Sequence, residues 1–458
     1  MISRKPPNII VFLTDQQRYD TTGAHGSELG LTPNFDRVAR QGTHLARSFT
    51  CQPVCAPARA CFQTGLYASQ NGVWRNGCQP HPHLFTLADY FNEAGYHTGY
   101  IGKWHLAAAR HPGYVPRDLQ GGYESWLGAN ILEFVSDSLS TRLWDETGNE
   151  HRLPGYRVDA VTDAAIRHIH ARSEEAKPFF LFVSLLEPHH QNSSDSYPAP
   201  TGYEDRYATA ELPPDLRVSN GTAVQHWPGY CGMIKRIDEA FGRMLEALES
   251  LRLKDNTVVL YTSDHGNHFK TRNAEYKRSC HDASIRVPTA ICGPGFDSGG
   301  EVSKLVSLID LPPTLLDAAG VEVPEEMQGR SLLPLIREPR LEWPEEVFVQ
   351  ISESQTGRAV RTGRWKYSVR APDLDEEGNP VSRPSSNVYI DDCLYDLEAD
   401  PWELTNLVGY TSHAEVVAVM RERLARRMRD AGEEEPEFID APPAEPYEHV
   451  VTSEETRL

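Results

Sequence analysis

Short runs scattered along this chain carry side chains able to do chemistry. Cys55-Ala56-Pro57-Ala58-Arg59, closed by Thr64-Gly65, sets a thiol, a turn-fixing proline and an arginine at the start of an expected helix. A helix N-terminus favours an anion, and Arg59 keeps its charge and presents a rigid donor fork. Asp15-Gln16 supplies a carboxylate and an amide oxygen, hard ligands that suit Ca2+. Asp264-His265 supplies a second carboxylate with an imidazole, whose nitrogen is better suited to Mn2+ or another transition ion. Lys103-Trp104-His105 and Pro188-His189-His190 add an ammonium and imidazoles, and histidine moves protons readily because it titrates near neutrality. Lys277 adds another ammonium. Read singly, each run also fits an ordinary role: Asp15 and Gln16 as turn formers, Lys277 as a solvated lysine, His189 as a loop histidine. What they amount to depends on whether one fold brings them together.

Asp15 follows the apolar run Asn8-Ile9-Ile10-Val11-Phe12-Leu13-Thr14. Glu187-Pro188-His189 follows a run over 179–186, and Asp264-His265 follows one over 257–262. Continuous apolar runs of this length fit strands covered on both faces. Between them the periodicity predicts helices: one over 233–251, with Met233, Ile237, Phe241, Leu245 and Leu248 on one face, and a shorter one over 87–94 ended by Gly95. The alternation predicts an α/β fold with a mainly parallel central sheet flanked by helices. In such folds ligands sit beyond the carboxyl ends of the strands, and here three strands deliver polar residues to one edge.

The polar, proline-punctuated segment Glu342-Trp343-Pro344-Glu345-Glu346 predicts a boundary, with 1–342 a catalytic α/β domain and 343–458 a C-terminal subdomain. The subdomain reads as a small antiparallel sheet (347–351, 358–361, 365–369) with one helix over 413–431. Its Glu- and Pro-rich tail after Gly432 is expected to wrap the surface or stay disordered.

With 458 residues the chain is long enough for a large core plus a smaller domain. A net charge of −20 argues against general nucleic-acid binding and means that an anionic substrate needs a locally basic pocket. No run is long enough to span a bilayer, and the N-terminus enters its first strand without a leader-like segment, so a cytoplasmic protein without membrane partners is expected. The eight cysteines form neither a disulfide framework nor a zinc knuckle, and those other than Cys55 and Cys280 read as small buried hydrophobes.

The Cys55 run has the form Cys-x-Pro-x-Arg-x4-Thr-Gly. Joined to Gly102-Lys103-Trp104-His105, to the Asp-Gln and Asp-His pairs, and to Lys277-x3-His281-Asp282-x-Ser284-x-Arg286-Val287-Pro288, it resembles the type I, formylglycine-dependent sulfatases of the alkaline-phosphatase-like superfamily. The resemblance runs from Pro7 to Pro401. It implies that a maturation enzyme oxidises Cys55 to formylglycine, whose hydrate attacks sulfur with one oxygen and expels sulfate through the other. It implies that Asp15, Gln16, Asp264, His265 and residue 55 hold Ca2+. Mn2+ remains open because His265 stands where many relatives carry Asn, and His265 bonding the sulfate instead is the other reading. By the same resemblance Arg59 positions the nucleophile, and Lys103 contacts sulfate and nucleophile. His105 is the base that releases sulfate, His189 protonates the leaving alkoxide, and Lys277 binds the sulfate. His190 and Arg286 join the substrate-binding residues. Cys280, His281 and Ser284 depart from the family's usual choices.

The reaction so implied is hydrolysis of a sulfate ester of a small, carbohydrate-type substrate. The alternatives are a phosphonate monoester or phosphodiester hydrolase of the same superfamily, which lacks the Lys-Trp-His arrangement, and a binding protein that has lost catalysis. Specificity is expected from loops over 104–133 and 191–226, where Trp126, Tyr197, Tyr203, Tyr207 and, just beyond, Trp227 are candidates to stack on a sugar face.

Overall fold

The computed structural model describes residues 5–108, 110–297 and 300–444. At its centre lies a ten-stranded sheet. Five neighbouring strands run parallel through its middle, in the order Thr257–Ser263, Asn8–Thr14, Phe179–Ser184, His97–Lys103 and Ser125–Ala129. The parallel core is bordered on both sides by antiparallel pairing. Ala290–Cys292 pairs with the Thr257 strand, and the hairpin Ser140–Asp145/Glu150–Pro154 extends the Ser125 strand.

The apolar runs are continuous because alternate residues feed opposite cores. Ile9, Val11 and Leu13 join Phe180, Phe182, Val258 and Leu260 on one face. Ile10 and Phe12 join Phe179, Leu181, Val183, Val259 and Tyr261 on the other. The long helix Ala223–Ser250 covers that second face with Ile237, Phe241 and Leu248. It begins ten residues before the apolar period from 233 indicates, and it carries Pro228 internally.

The second, five-stranded sheet runs Glu346–Ile351, Gly357–Thr362, Trp365–Arg370, Val388–Asp396 and Glu437–Ile439. Its first four strands are antiparallel, as expected, but the last pairs in parallel with Val388–Asp396. The segment just after Gly432 therefore completes this sheet rather than lying loose on the surface; 445–458 lie outside the described residues. The helix Ala414–Asp430 packs Met420, Leu424 and Met428 onto the sheet. The other face shares a core with the part of the chain that builds the large sheet, where Val347, Val349 and Ile351 meet Phe49, Cys280 and Ile285.

Register sets the site. Thr14 pairs with Ser263, Leu13 with Ser184, and Gly102 with Ser184. Asp15, Asp264 and Lys103 therefore emerge from the carboxyl ends of their strands at nearly one level. Gly102 cannot be replaced cheaply: its φ is 113°, and a Cβ there would sit 1.9 Å from the Ser184 carbonyl oxygen.

Candidate active site

Cys55 is the first residue of the helix Cys55–Thr64, all ten residues of which are buried. Its Sγ lies 2.9 Å from Lys277 Nζ, 3.3 Å from His265 Nε2, 3.6 Å from Asp15 Oδ1 and 3.7 Å from Lys103 Nζ. Burial pushes the thiol up, but Lys103, Lys277 and His265 outweigh it and hold Cys55 well below its ordinary value.

Arg59, one turn along the same helix, ties the strand ends together. Its Nη2 reaches Asp15 Oδ2 at 3.0 Å and its Nε reaches Asp264 Oδ2 at 3.0 Å. Its Nη1 donates to the Lys103 carbonyl at 2.9 Å and to Ser184 Oγ at 2.6 Å. Lys103 Nζ is shared by Asp15 Oδ2 at 2.8 Å and Glu133 Oε1 at 3.0 Å. Burial and the Cys55 thiol push Asp15 up, yet Lys103, His189 and Lys277 hold it well below the carboxylate range. Burial and the neighbouring Asp15 keep Asp264 above its ordinary value despite His265 and Arg59.

The arrangement fits a divalent cation. Asp15, Cys55, Asp264 and His265 each offer a ligand atom, all within 4.8 Å of one another. The Gln16 side chain is fully buried, yet neither its Oε1 nor its Nε2 has a partner, a cost that an ion accepting the oxygen removes. The Gln16 backbone is held left-handed, with φ 71°, and its N–H donates to Asp264 Oδ1 at 3.1 Å. The Gly266 carbonyl accepts from His265 Nδ1 at 3.0 Å, which orients the ring and leaves Nε2 as the nitrogen facing Cys55. Asp15, Asp264 and Glu133 balance Arg59, Lys103 and Lys277, so a dication leaves the site net positive for an anionic ester.

A cavity of about 290 Å³ opens onto Cys55, bounded by His105, Glu133, His189, His190, Tyr276 and Lys277 among others. His189 Nδ1 donates to the His190 carbonyl at 2.7 Å, which leaves Nε2 as the ring's other nitrogen. His105 also takes a left-handed backbone, φ 63°, and its Nδ1 has no partner. The structure thus gathers Asp15, Gln16, Cys55, Arg59, Lys103, His105, His189, His190, Asp264, His265 and Lys277. Arg286 is the exception. Its Nη2 donates to the Ala46 carbonyl at 2.7 Å, and its guanidinium lies 4.0 Å over the Tyr19 ring, outside the cavity lining. The arginine of the Arg-Val-Pro turn thus ties chain segments together, and the structure does not bring it to the cavity with the other candidates.

The expected sugar-stacking aromatics are also corrected. Trp126 on the Ser125 strand, Trp227 on the long helix and Tyr197 are buried in the cores. Tyr203 and Tyr207 are half-buried and line no part of the cavity. Glu133, Tyr276, Ser184 and His268 are contributors that sequence reasoning missed, since none stands in a recognisable pattern.

His268 positions the Lys277 segment. Its ring Nε2 meets the Lys277 carbonyl at 3.0 Å, and its backbone N–H donates to the Tyr276 carbonyl at 2.8 Å. Burial carries His268 down to about 3. An unfolded histidine titrates near 6.5, so below that pH the unfolded chain takes up a proton that the folded chain refuses. His268's contribution to stability is present above pH 6.5 and is lost as pH falls toward 3, by about 2 kcal/mol at pH 5. Urea midpoints at pH 7 and pH 5 check this: His268→Gln should shrink the drop between them, and an unchanged drop contradicts it.

A family model described as Sulfatase matches residues 7–321. The chain belongs to the sulfatase family. A second model, described as N-sulphoglucosamine sulphohydrolase, C-terminal, matches residues 274–379. The Ulvan-active sulfatase of Formosa agariphila is 28% identical, over 93% of this chain and 82% of its own. The N-acetylglucosamine-6-O-sulfatase of Bacteroides thetaiotaomicron is 24% identical, over 94% and 88%. Among solved structures, the putative sulfatase yidJ from Bacteroides fragilis superposes with a TM-score of 0.83 at 23% identity, covering 94% of this chain and 97% of that one. The Phosphonate Monoester Hydrolase of Agrobacterium radiobacter shares the fold less closely, with a TM-score of 0.66 at 22% identity over 93% and 96%. This sulfatase is a sulfuric ester hydrolase of the alkaline-phosphatase-like fold. Among its described residues no helix is long and apolar enough to cross a membrane.

Proposed function

We propose that this enzyme hydrolyses the sulfate ester of a small carbohydrate, with Cys55 converted to formylglycine by a maturation enzyme and a divalent cation, Ca2+ in first place, held by Asp15, Gln16, Asp264, His265 and residue 55. The observation that carries the reading is Cys55 Sγ standing within 4 Å of Lys277, His265, Asp15 and Lys103 together, at the floor of the cavity. When bound, the cation screens sulfate oxygens and eases deprotonation of the hydrated aldehyde. As the aldehyde hydrate, residue 55 supplies one oxygen for attack on sulfur and a second hydroxyl whose deprotonation expels sulfate.

The chain's own groups divide the remaining work. Lys277 and Lys103 flank residue 55 and hold the sulfate oxygens against it, a preorganised charge placed where negative charge shifts during S–O cleavage. Arg59 faces the carboxylates rather than the substrate, so its role is to hold Asp15 and Asp264 in place. His189, its tautomer set by the His190 carbonyl, carries the proton to the leaving alkoxide, and His105 takes the proton from the second hydroxyl of residue 55. Of the aromatic rings expected to stack on the sugar, none reaches the cavity; His190 and Tyr276, with ring centroids 4.4 Å apart, form its wall.

A phosphonate or phosphodiester hydrolase shares the nucleophile and metal residues. Lys103 and His105, both beside Cys55, favour sulfate. The reading is tested on protein co-produced with a formylglycine-generating enzyme, by the mass of the tryptic peptide 48–59 and by sulfate release before and after chelation. The expected result is the aldehyde mass, activity lost on chelation and restored by Ca2+. An intact thiol beside an active maturation enzyme overturns it, and rescue by Mn2+ alone turns the reading toward the phosphonate class.

A further inference from the structure

Glu133 is out of place in an anion pocket. It lies on the short helix Leu132–Val135, just past the strand that pairs with the Lys103 strand, and it is 6% exposed. One oxygen, Oε1, is 3.0 Å from Lys103 Nζ. The other, Oε2, is buried with no partner, and Glu133 is one of the residues that line the cavity holding Cys55, His105 and His189. Burial pushes Glu133 up, but Lys103, His105 and His189 hold it below its ordinary value, so it stays ionised. Lys103 already has Asp15 Oδ2 at 2.8 Å, so neutralising that ammonium does not by itself require a second carboxylate.

An ionised carboxylate only accepts hydrogen bonds. Its free oxygen repels sulfate oxygens and gains from a donor, and a buried carboxylate oxygen left unpaired is costly. We infer that Glu133 Oε2 receives a hydrogen-bond donor, a hydroxyl or an N–H, carried on the leaving group beside the sulfated carbon, and that Glu133 thereby selects donor-bearing esters such as sugar or amino-sugar sulfates over bare aryl sulfates. The inference rests on the sulfate-ester reading above and narrows its substrate. Position agrees: Glu133 contacts Lys103, which contacts residue 55, so the carboxylate stands one side chain away from the nucleophile and not in a distant subsite. The cavity, at about 290 Å³, is at the lower end of the usual range for ligand pockets, which fits one small unit whose neighbouring substituents are read at close quarters.

The test compares kcat/KM for hexosamine O-sulfates and for 4-methylumbelliferyl sulfate, which has no neighbouring donor, in the wild type and in Glu133→Gln. The amide leaves its oxygen on Lys103 and turns its NH2 toward the substrate, donor against donor. The sugar sulfate should fall about 10- to 100-fold further than the aryl sulfate. Equal falls on both substrates, or none on either, overturn the inference and leave Glu133 as a support for Lys103. A second measurement needs no variant: on the wild type, a sugar sulfate should outpace its analogue deoxygenated at the neighbouring carbon, and equal rates overturn the inference. Wild-type turnover of the aryl sulfate but of no sugar sulfate also overturns it while leaving sulfate hydrolysis standing. Aldehyde-bearing enzyme that cleaves neither overturns the proposed function itself.

Discussion

Replacing Cys55 by Ala is expected to lower turnover by at least about 10⁴-fold, the scale seen when a covalent nucleophile is removed. The fold should survive. Cys55 is a small buried side chain at the start of a helix whose other nine residues are buried as well, and none of the strand pairings depends on its sulfur. The loss is a small cavity worth about 1 kcal/mol, and in a chain of this size that shifts Tm by no more than about 4 °C. The Lys277 ammonium loses its nearest partner at 2.9 Å but keeps His265 Nε2 at 3.1 Å, so the pocket wall should hold. Near-UV circular dichroism and a thermal melt measured beside sulfate release separate the two effects. A variant that melts like the wild type and is inactive supports the nucleophile; one that keeps more than about 1% of wild-type turnover removes it.

The parts of this enzyme that sequence made legible are those fixed by local rules. The Asn8, Phe179 and Thr257 strands could be placed because both faces are buried, so their apolar runs are unbroken, and each ends where a polar residue meets the site. The residues proposed here for metal and nucleophile could be singled out because their types fall in motifs, and the structure brings their side chains together. What escaped depends on how distant segments meet. Glu133 sits in an unpatterned stretch, and it matters only because the Ser125 strand lies beside the Lys103 strand. Arg286 stands apart from the other candidates because its motif sits near the site in sequence while its side chain turns toward Ala46 and Tyr19. The aromatics Trp126, Tyr197 and Trp227 carry no sign in the sequence of whether a ring faces a ligand or the core; here all three are buried. The last strand, Glu437–Ile439, escaped because its acidic, proline-rich surroundings resemble an unstructured tail, and only pairing with Val388–Asp396 defines it.

The largest expected loss of stability comes from Arg59→Met. The guanidinium is 3% exposed and makes four contacts at once, to Asp15, Asp264, Ser184 and the Lys103 carbonyl. Methionine keeps the length and apolar volume but leaves two buried carboxylates facing each other with less positive charge between them. Breaking a buried pair on one side costs about 3–5 kcal/mol. Lysine recovers less than half of this, because a single ammonium cannot span both carboxylates with the fork that arginine presents. The sign with pH follows from Asp264, which burial and Asp15 already keep above its ordinary value while Arg59 pulls it down. Without Arg59 it rises further, so lowering the pH neutralises the stranded charge and the deficit relative to the wild type shrinks. A divalent cation should do the same by mass action, since it binds the same two carboxylates in the folded chain only. Urea unfolding at two pH values, with and without Ca2+, reads all of this at once. If Arg59→Met matches the wild type in stability, the arginine is not the clamp between the strand ends; if its deficit ignores both protons and Ca2+, the two carboxylates are not where the variant's cost resides, and the metal assignment at Asp15 and Asp264 weakens with it.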